Sequence, residues 1–174
     1  MYKLNGIMLS KEEIQAKVKE LAKRIEKDYK GEEVLIVGIL KGASVFCADL
    51  IREIDLDVKL DFMVVSSYGR GTTSSGTVKI IKDLDVDIEN KNVVIVEDII
   101  DSGLTLSSLV KALNTRKPKS LKLCTLLDKP ERRVANIDVD YVGFVIEDKF
   151  IVGYGIDYDE KYRNLPYIGI VEDI

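Results

Sequence analysis

The sequence predicts an α/β domain: a parallel sheet with helices on both faces, and a small lobe added from the C-terminal region. Between residues 34 and 127, apolar runs of strand length alternate with segments of helical period, the signature of strand–helix–strand units with right-handed crossovers. VLIVGIL (34–40) and VVIV (93–96) are continuous rather than alternating, as in strands covered on both faces. After residue 140 the texture changes to short strands broken by glycine, YVGFVIEDKFIVGYGIDY and then YIGIV.

The first helix is announced by Ser10 and Glu13 at capping-box spacing, after which Ile14, Val18, Leu21 and Ile25 recur on one face. Lys41-Gly42 ends the first buried strand, and 43–54 reads as a helix. Residues 58–65 form a strand, 66–77 a long loop with almost nothing to bury, and 78–81 the returning strand. Helix 104–115 carries the stripe Leu106, Leu109, Val110 and Leu113, and 120–127 is the next strand.

The chain has 174 residues and a net charge of −4, which fits one domain (1–174) without a broad basic surface for nucleic acid. No apolar run reaches the ~20 residues of a membrane span, and no secretory leader pattern is present, so the expected compartment is the cytoplasm. Cys47 and Cys124 stand in unlike contexts, which argues against a disulfide framework. With no histidine anywhere, Ser-His-Asp and Cys-His chemistry are excluded. Acid–base work falls to carboxylates, lysines or tyrosines, and any metal is expected to be a hard cation such as Mg2+.

The most informative stretch is VVIVEDIIDSGLTL (93–106). It delivers Glu97, Asp98, Asp101, Ser102 and Thr105 to the carboxyl edge of a parallel sheet, where ligands bind, and to the head of a helix, which favours a phosphate. A plain reading has Asp101 or Ser102 capping the helix and the acids solvated. That explains one acid and leaves the crowding of three unexplained. The stretch matches neither the P-loop nor the dinucleotide turn. Its mix of phosphate cradle and hydroxyl or metal acceptors suits a sugar phosphate.

This stretch resembles the phosphoribosyl-pyrophosphate (PRPP) motif of type I phosphoribosyltransferases, whose fold is a Rossmann-like parallel sheet with a hood lobe. LKGASVFCADL (40–50) is similar to the family's pyrophosphate loop, SSYGRGTTSSG (66–76) to its closing loop, and 148–171 to the purine-binding hood of hypoxanthine-guanine phosphoribosyltransferases. The resemblance covers nearly the whole chain, with a core over about 30–128 and a hood over about 140–174 joined by the N-terminal segment. It implies Mg-dependent transfer of the 5-phosphoribosyl group from PRPP to hypoxanthine or guanine, giving IMP or GMP plus pyrophosphate, in a homodimer or homotetramer. A preference for xanthine or adenine, or a PRPP-sensing RNA regulator on the same fold, remain alternatives.

The resemblance also implies roles. Glu97 and Asp98 would hold the ribose hydroxyls directly or through Mg2+. Ser102, Gly103, Leu104 and Thr105 would bind the 5-phosphate, and Asp101 would take the purine proton. Lys41, after a cis peptide, and Gly42 would contact pyrophosphate with Arg163. Ser67 and Tyr68 would belong to the closing loop. Lys129 would donate to the 6-oxo group, Phe150 would stack on the base, and Ile151 and Asp157 would meet the 2-amino group, with Asp157 also a candidate for a second Mg2+. Each has a bland rival: Phe150 as core, Lys129 as a solvated strand end, and DYDEKYR (157–163) as a solvated charged face.

Overall fold

The computed structural model describes residues 2–67 and 78–173. Along the chain run β1 (Tyr2–Leu9), α1 (Lys11–Asp28), β2 (Glu33–Ile39), α2 (Ser44–Glu53), β3 (Asp57–Ser67), β4 (Val78–Lys82), β5 (Asn92–Ile100) and α3 (Leu104–Asn114). β6 (Ser120–Asp128), a 3-10 turn (Pro130–Arg132), β7 (Tyr141–Val145), β8 (Ile151–Val152) and β9 (Ile168–Asp173) complete it. The capping box of α1 forms as its spacing predicts. Glu13 N–H donates to Ser10 Oγ at 3.1 Å, and Ser10 N–H donates to Glu13 Oε2 at 2.8 Å.

The main sheet has the order β4-β3-β2-β5-β6-β7, parallel except for β4 at one edge. A second, antiparallel sheet joins β1, β9 and β8 and forms the hood. Strand 141–145 therefore belongs to the larger sheet, beside β6.

Alternate residues of the buried strands feed two cores. Val34, Ile36, Val94 and Val96 pack with Ile14, Leu21, Phe46 and Leu50 of α1 and α2. Leu35, Val37, Val93 and Ile95 face Leu106, Leu109 and Leu113 of α3 on the other side. Ile151, Tyr154 and Ile168 of the hood join the first core, so the lobe is anchored by apolar burial. Both cysteines are buried, and burial pushes the Cys47 thiol up to about 12 and the Cys124 thiol higher still.

This topology fixes the site's location. From β2 the chain crosses through α2 outward to β3, whereas from β5 it crosses through α3 to β6 in the opposite direction. The strand order thus reverses between β2 and β5, and a crevice opens beyond their carboxyl ends. Lys41-Gly42 follows β2 at that point, and the acid motif closes β5.

Candidate active site

β5 is longer than its apolar run. Parallel pairing continues through Glu97 opposite Thr125 and Ile99 opposite Leu127 to Ile100 opposite Asp128. Glu97 and Asp98 are therefore strand residues, held by the ladder rather than lying beyond it. They sit half-buried and hydrogen-bond each other. Burial, reinforced by the Asp98 charge, raises the Glu97 carboxyl well above its usual range. Burial likewise raises Asp98, partly offset by the Ile99 N–H, which donates to Oδ1 at 2.7 Å, and by the nearby Arg163 charge.

Across the crevice, the peptide bond between Leu40 and Lys41 is cis, as the resemblance implied. Gly42 meets Asp98 so closely that a Cβ there would lie 2.0 Å from Oδ2. Only glycine lets the two strand ends approach in this way. Lys41 points its ammonium outward to Glu160 of the hood, at 2.8 Å.

The head of α3 is an open cradle. Gly103, its N-cap residue, adopts φ 76, which glycine takes without strain, and no side chain caps the helix. Ser102 Oγ accepts only a long 3.4 Å bond from Leu104 N–H. The expectation that Asp101 or Ser102 is spent as a helix cap therefore fails, and the first-turn N–H groups stay available to an anion. Glu97, Asp101, Ser102, Gly103 and Thr105 line one cleft of ≈ 170 Å³ with Val65 and Leu106. A larger hollow of ≈ 210 Å³ between α1 and α2 is lined by Gln15, Val18, Lys19, Asp49, Arg52 and Glu53, where Asp49 is paired with Arg52 and accepts from the Tyr154 hydroxyl.

The hood supplies the other face. Lys129 is buried, and its Nζ donates to the Lys149 carbonyl at 2.6 Å, so it is not a solvated strand end. Ile151 is buried in β8, while Phe150 beside it is 45% exposed, edge-on to Tyr158 with centroids 5.3 Å apart. A core role for Phe150 is thereby excluded. Arg163 donates to the Gly155 carbonyl at 2.8 Å and pairs with Asp157 and Glu160, each at 3.1 Å. Its Nε is buried with no hydrogen-bond partner among the described residues. The other Asp157 oxygen accepts the Glu160 N–H at 2.9 Å. Run 157–163 is thus held at its ends, where Asp157 and Arg163 are half-buried and paired, while Asp159, Glu160 and Lys161 between them are exposed.

Three residues at the site escaped sequence reasoning. Arg132 reaches Asp101 at 3.2 Å and Asp148 at 3.3 Å, and Glu160 joins Lys41 to Arg163. All three lie in charge-rich stretches that read as solvent-facing. Ser67 is exposed at the end of β3, and Tyr68 with the rest of the expected closing loop lies outside the described residues.

Parallel sheet, reversal point, acid pair and open helix head together define a sugar-phosphate transferase architecture. The family model for the phosphoribosyl transferase domain matches residues 8–159, and the chain belongs to that family. It is 56% identical over 169 residues to the hypoxanthine-guanine phosphoribosyltransferase of Bacillus subtilis, a match covering 97% of this chain and 94% of that protein. It is 54% identical to the bifunctional protein TilS/HprT of Listeria monocytogenes, of whose length it spans 26%. The crystal structure of a hypoxanthine-guanine phosphoribosyltransferase from Bacillus anthracis superposes with a TM-score of 0.93 at 54% identity, covering 99% of this chain and 100% of that one.

Proposed function

We propose that this chain is a purine-salvage enzyme that transfers the 5-phosphoribosyl group of PRPP to N9 of hypoxanthine or guanine, giving IMP or GMP and pyrophosphate. The observation that carries the reading is the Glu97–Asp98 pair, packed against Gly42 and opening onto the uncapped head of α3. A ribose with two free hydroxyls and a 5-phosphate matches that arrangement. The 5-phosphate meets the first-turn N–H groups with Ser102 and Thr105, and Glu97 and Asp98 take the hydroxyls.

Two adjacent carboxylates whose ionisation is opposed by burial, and for Glu97 also by the Asp98 charge, fit a hard divalent cation. Among the described residues no third Asp, Glu or Cys completes a protein-only cage, which suits Mg2+ sharing its ligands with substrate oxygens and water. When bound, Mg2+ supplies charge neutralisation for the leaving pyrophosphate. Asp157 accepts a second ion only when Arg163 turns away from it, because both its oxygens are engaged.

In the transfer, the bond from the anomeric carbon to pyrophosphate oxygen breaks and the bond to purine N9 forms. Pyrophosphate departs with the electron pair, toward Lys41 and Arg163. The oxocarbenium-like ribose gains from the nearby carboxylates, and Asp101 takes the purine proton. Lys129 donates to a 6-oxo oxygen; the 6-amino group of adenine would set donor against donor. Phe150 stacks on the base, and the backbone of Ile151 with Asp157 receives the 2-amino group of guanine. What supports the Lys129 and Asp101 assignments is the chain of ion pairs that links Lys129 through Asp148 and Arg132 to Asp101. No helix of the described residues is long and apolar enough to cross a membrane. The family resemblance is what assigns the work to the cytoplasm and to a homodimer or homotetramer.

Incubation with PRPP, Mg2+ and each of hypoxanthine, guanine, xanthine and adenine tests the proposal. IMP and GMP should form and AMP should not. Dominant XMP or AMP formation would reassign the base, and RNA binding without base-dependent pyrophosphate release would replace the enzyme reading by a regulator.

A further inference from the structure

We propose that Arg132 is a positioning residue for this reaction: its guanidinium bridges Asp101 at the head of α3 to Asp148 at the entry to the hood, and so fixes the carboxylate that receives the purine proton. The inference rests on the assignment of Asp101 above. Arg132 Nε lies 3.2 Å from Asp101 Oδ1, and its Nη1 lies 3.3 and 3.4 Å from the two Asp148 oxygens. Asp148 Oδ1 is also 3.5 Å from Lys129 Nζ. One planar side chain thus links the groups assigned to two neighbouring edges of the base.

Chemistry and position both favour this role. A planar guanidinium fork holds two carboxylates at set angles, which a lysine ammonium on a flexible stem does not fix. Arg132 closes the 3-10 turn whose first residue is Pro130, and its N–H donates to the Lys129 carbonyl at 3.2 Å. Its base is therefore fixed, whereas Asp101 stands in the loop before Gly103. The neighbouring Arg133 does a separate job: it pairs with Asp128 and donates to the Asp101 carbonyl at 3.3 Å. Arg133 holds the Asp101 backbone, and Arg132 holds its carboxylate.

The Arg132 and Asp101 side chains are 55% and 51% exposed, so their pair contributes little to folding stability. Its consequence should appear in turnover. Arg132→Gln, Asp101→Asn, Asp148→Asn and the double variant Arg132→Gln/Asp101→Asn are compared for kcat, for KM of each substrate and for Tm. Arg132→Gln is expected to lower kcat roughly three- to tenfold by loosening the carboxylate, with Tm and PRPP KM nearly unchanged. In the Asp101→Asn background it should have no further effect, because its target is gone. Wild-type kcat in Arg132→Gln, or the same loss in both backgrounds, would overturn the inference while leaving the Asp101 assignment intact. Full kcat in Asp101→Asn would instead remove that assignment, and the inference with it.

Discussion

At the end of β5 the site is held by the main chain. Glu97 and Asp98 belong to a strand paired on both sides, Gly42 is locked by its approach to Asp98, and the proposed phosphate cradle is the head of a helix packed on the core. Between the main body and the hood the groups are held differently, through ion pairs among partly exposed side chains: Lys41 with Glu160, Arg163 with Asp157 and Glu160, Arg132 with Asp101 and Asp148. Backbone placement needs no side-chain ordering and is insensitive to salt. Exposed pairs are worth little each and are screened. The ribose phosphate should accordingly meet a preformed surface, whereas pyrophosphate and base meet charged groups that must exchange partners.

The sharpest break of this comparison is Asp101→Asn. It removes the proposed proton acceptor without touching the proposed cradle, and kcat should fall about 10²- to 10⁴-fold while PRPP binding, read by calorimetry, stays within a factor of about three. Equal losses in both would place Asp101 in the ground-state grip instead. Next comes Gly42→Ala, whose Cβ would lie 2.0 Å from Asp98 Oδ2. The acid pair must shift, and PRPP turnover should drop on the order of 10²-fold even where Tm is preserved. Unchanged kinetics would show that the approach to Asp98 is not part of the grip.

On the hood the expected sign is opposite. Glu160 occupies both cations assigned to pyrophosphate, and its carboxyl is held below the usual range first by Lys41 and then by Arg163. Pyrophosphate has to displace it, so Glu160→Gln should tighten pyrophosphate binding by up to about fivefold at low salt, the gain shrinking as salt rises. Weaker binding would mean that Glu160 organises the cations instead of blocking them.

The smallest effect lies outside the site. Tyr141 OH and Lys122 Nζ donate to Asp28 at 2.6 and 2.9 Å, and these bonds, Tyr141 first, lower its pKa. A depressed folded pKa stabilises the fold at neutral pH. That contribution is complete above the unfolded value of about 3.9 and is lost as pH falls through the lower folded value. Asp28→Asn should reduce Tm at pH 7 and leave it nearly unchanged near the acid end of that range; a pH-independent difference would rule out the ionic origin.

The same division separates what was legible in the sequence from what was not. The capping box of α1, the buried runs of β2 and β5 and the stripe of α3 are local patterns, and each forms where its spacing points. The acid motif is local too, although its extension of β5 through Glu97 and Asp98 depends on β6 running alongside as far as Asp128. The pairing of β1 with β9 spans nearly the whole chain and leaves no local trace. Arg132, Asp148 and Glu160 sit in stretches whose charge matches an ordinary solvated face, and only folding brings them to the cleft.

The decisive measurement is calorimetric titration of PRPP, with and without Mg2+, into the wild-type protein and into the Glu97→Gln/Asp98→Asn variant. Strong metal-dependent binding by the wild type, weakened at least about tenfold in the variant with Tm retained, is the outcome expected of carboxylates that hold ribose through a cation. Equal affinity in the two proteins would contradict the account at its root.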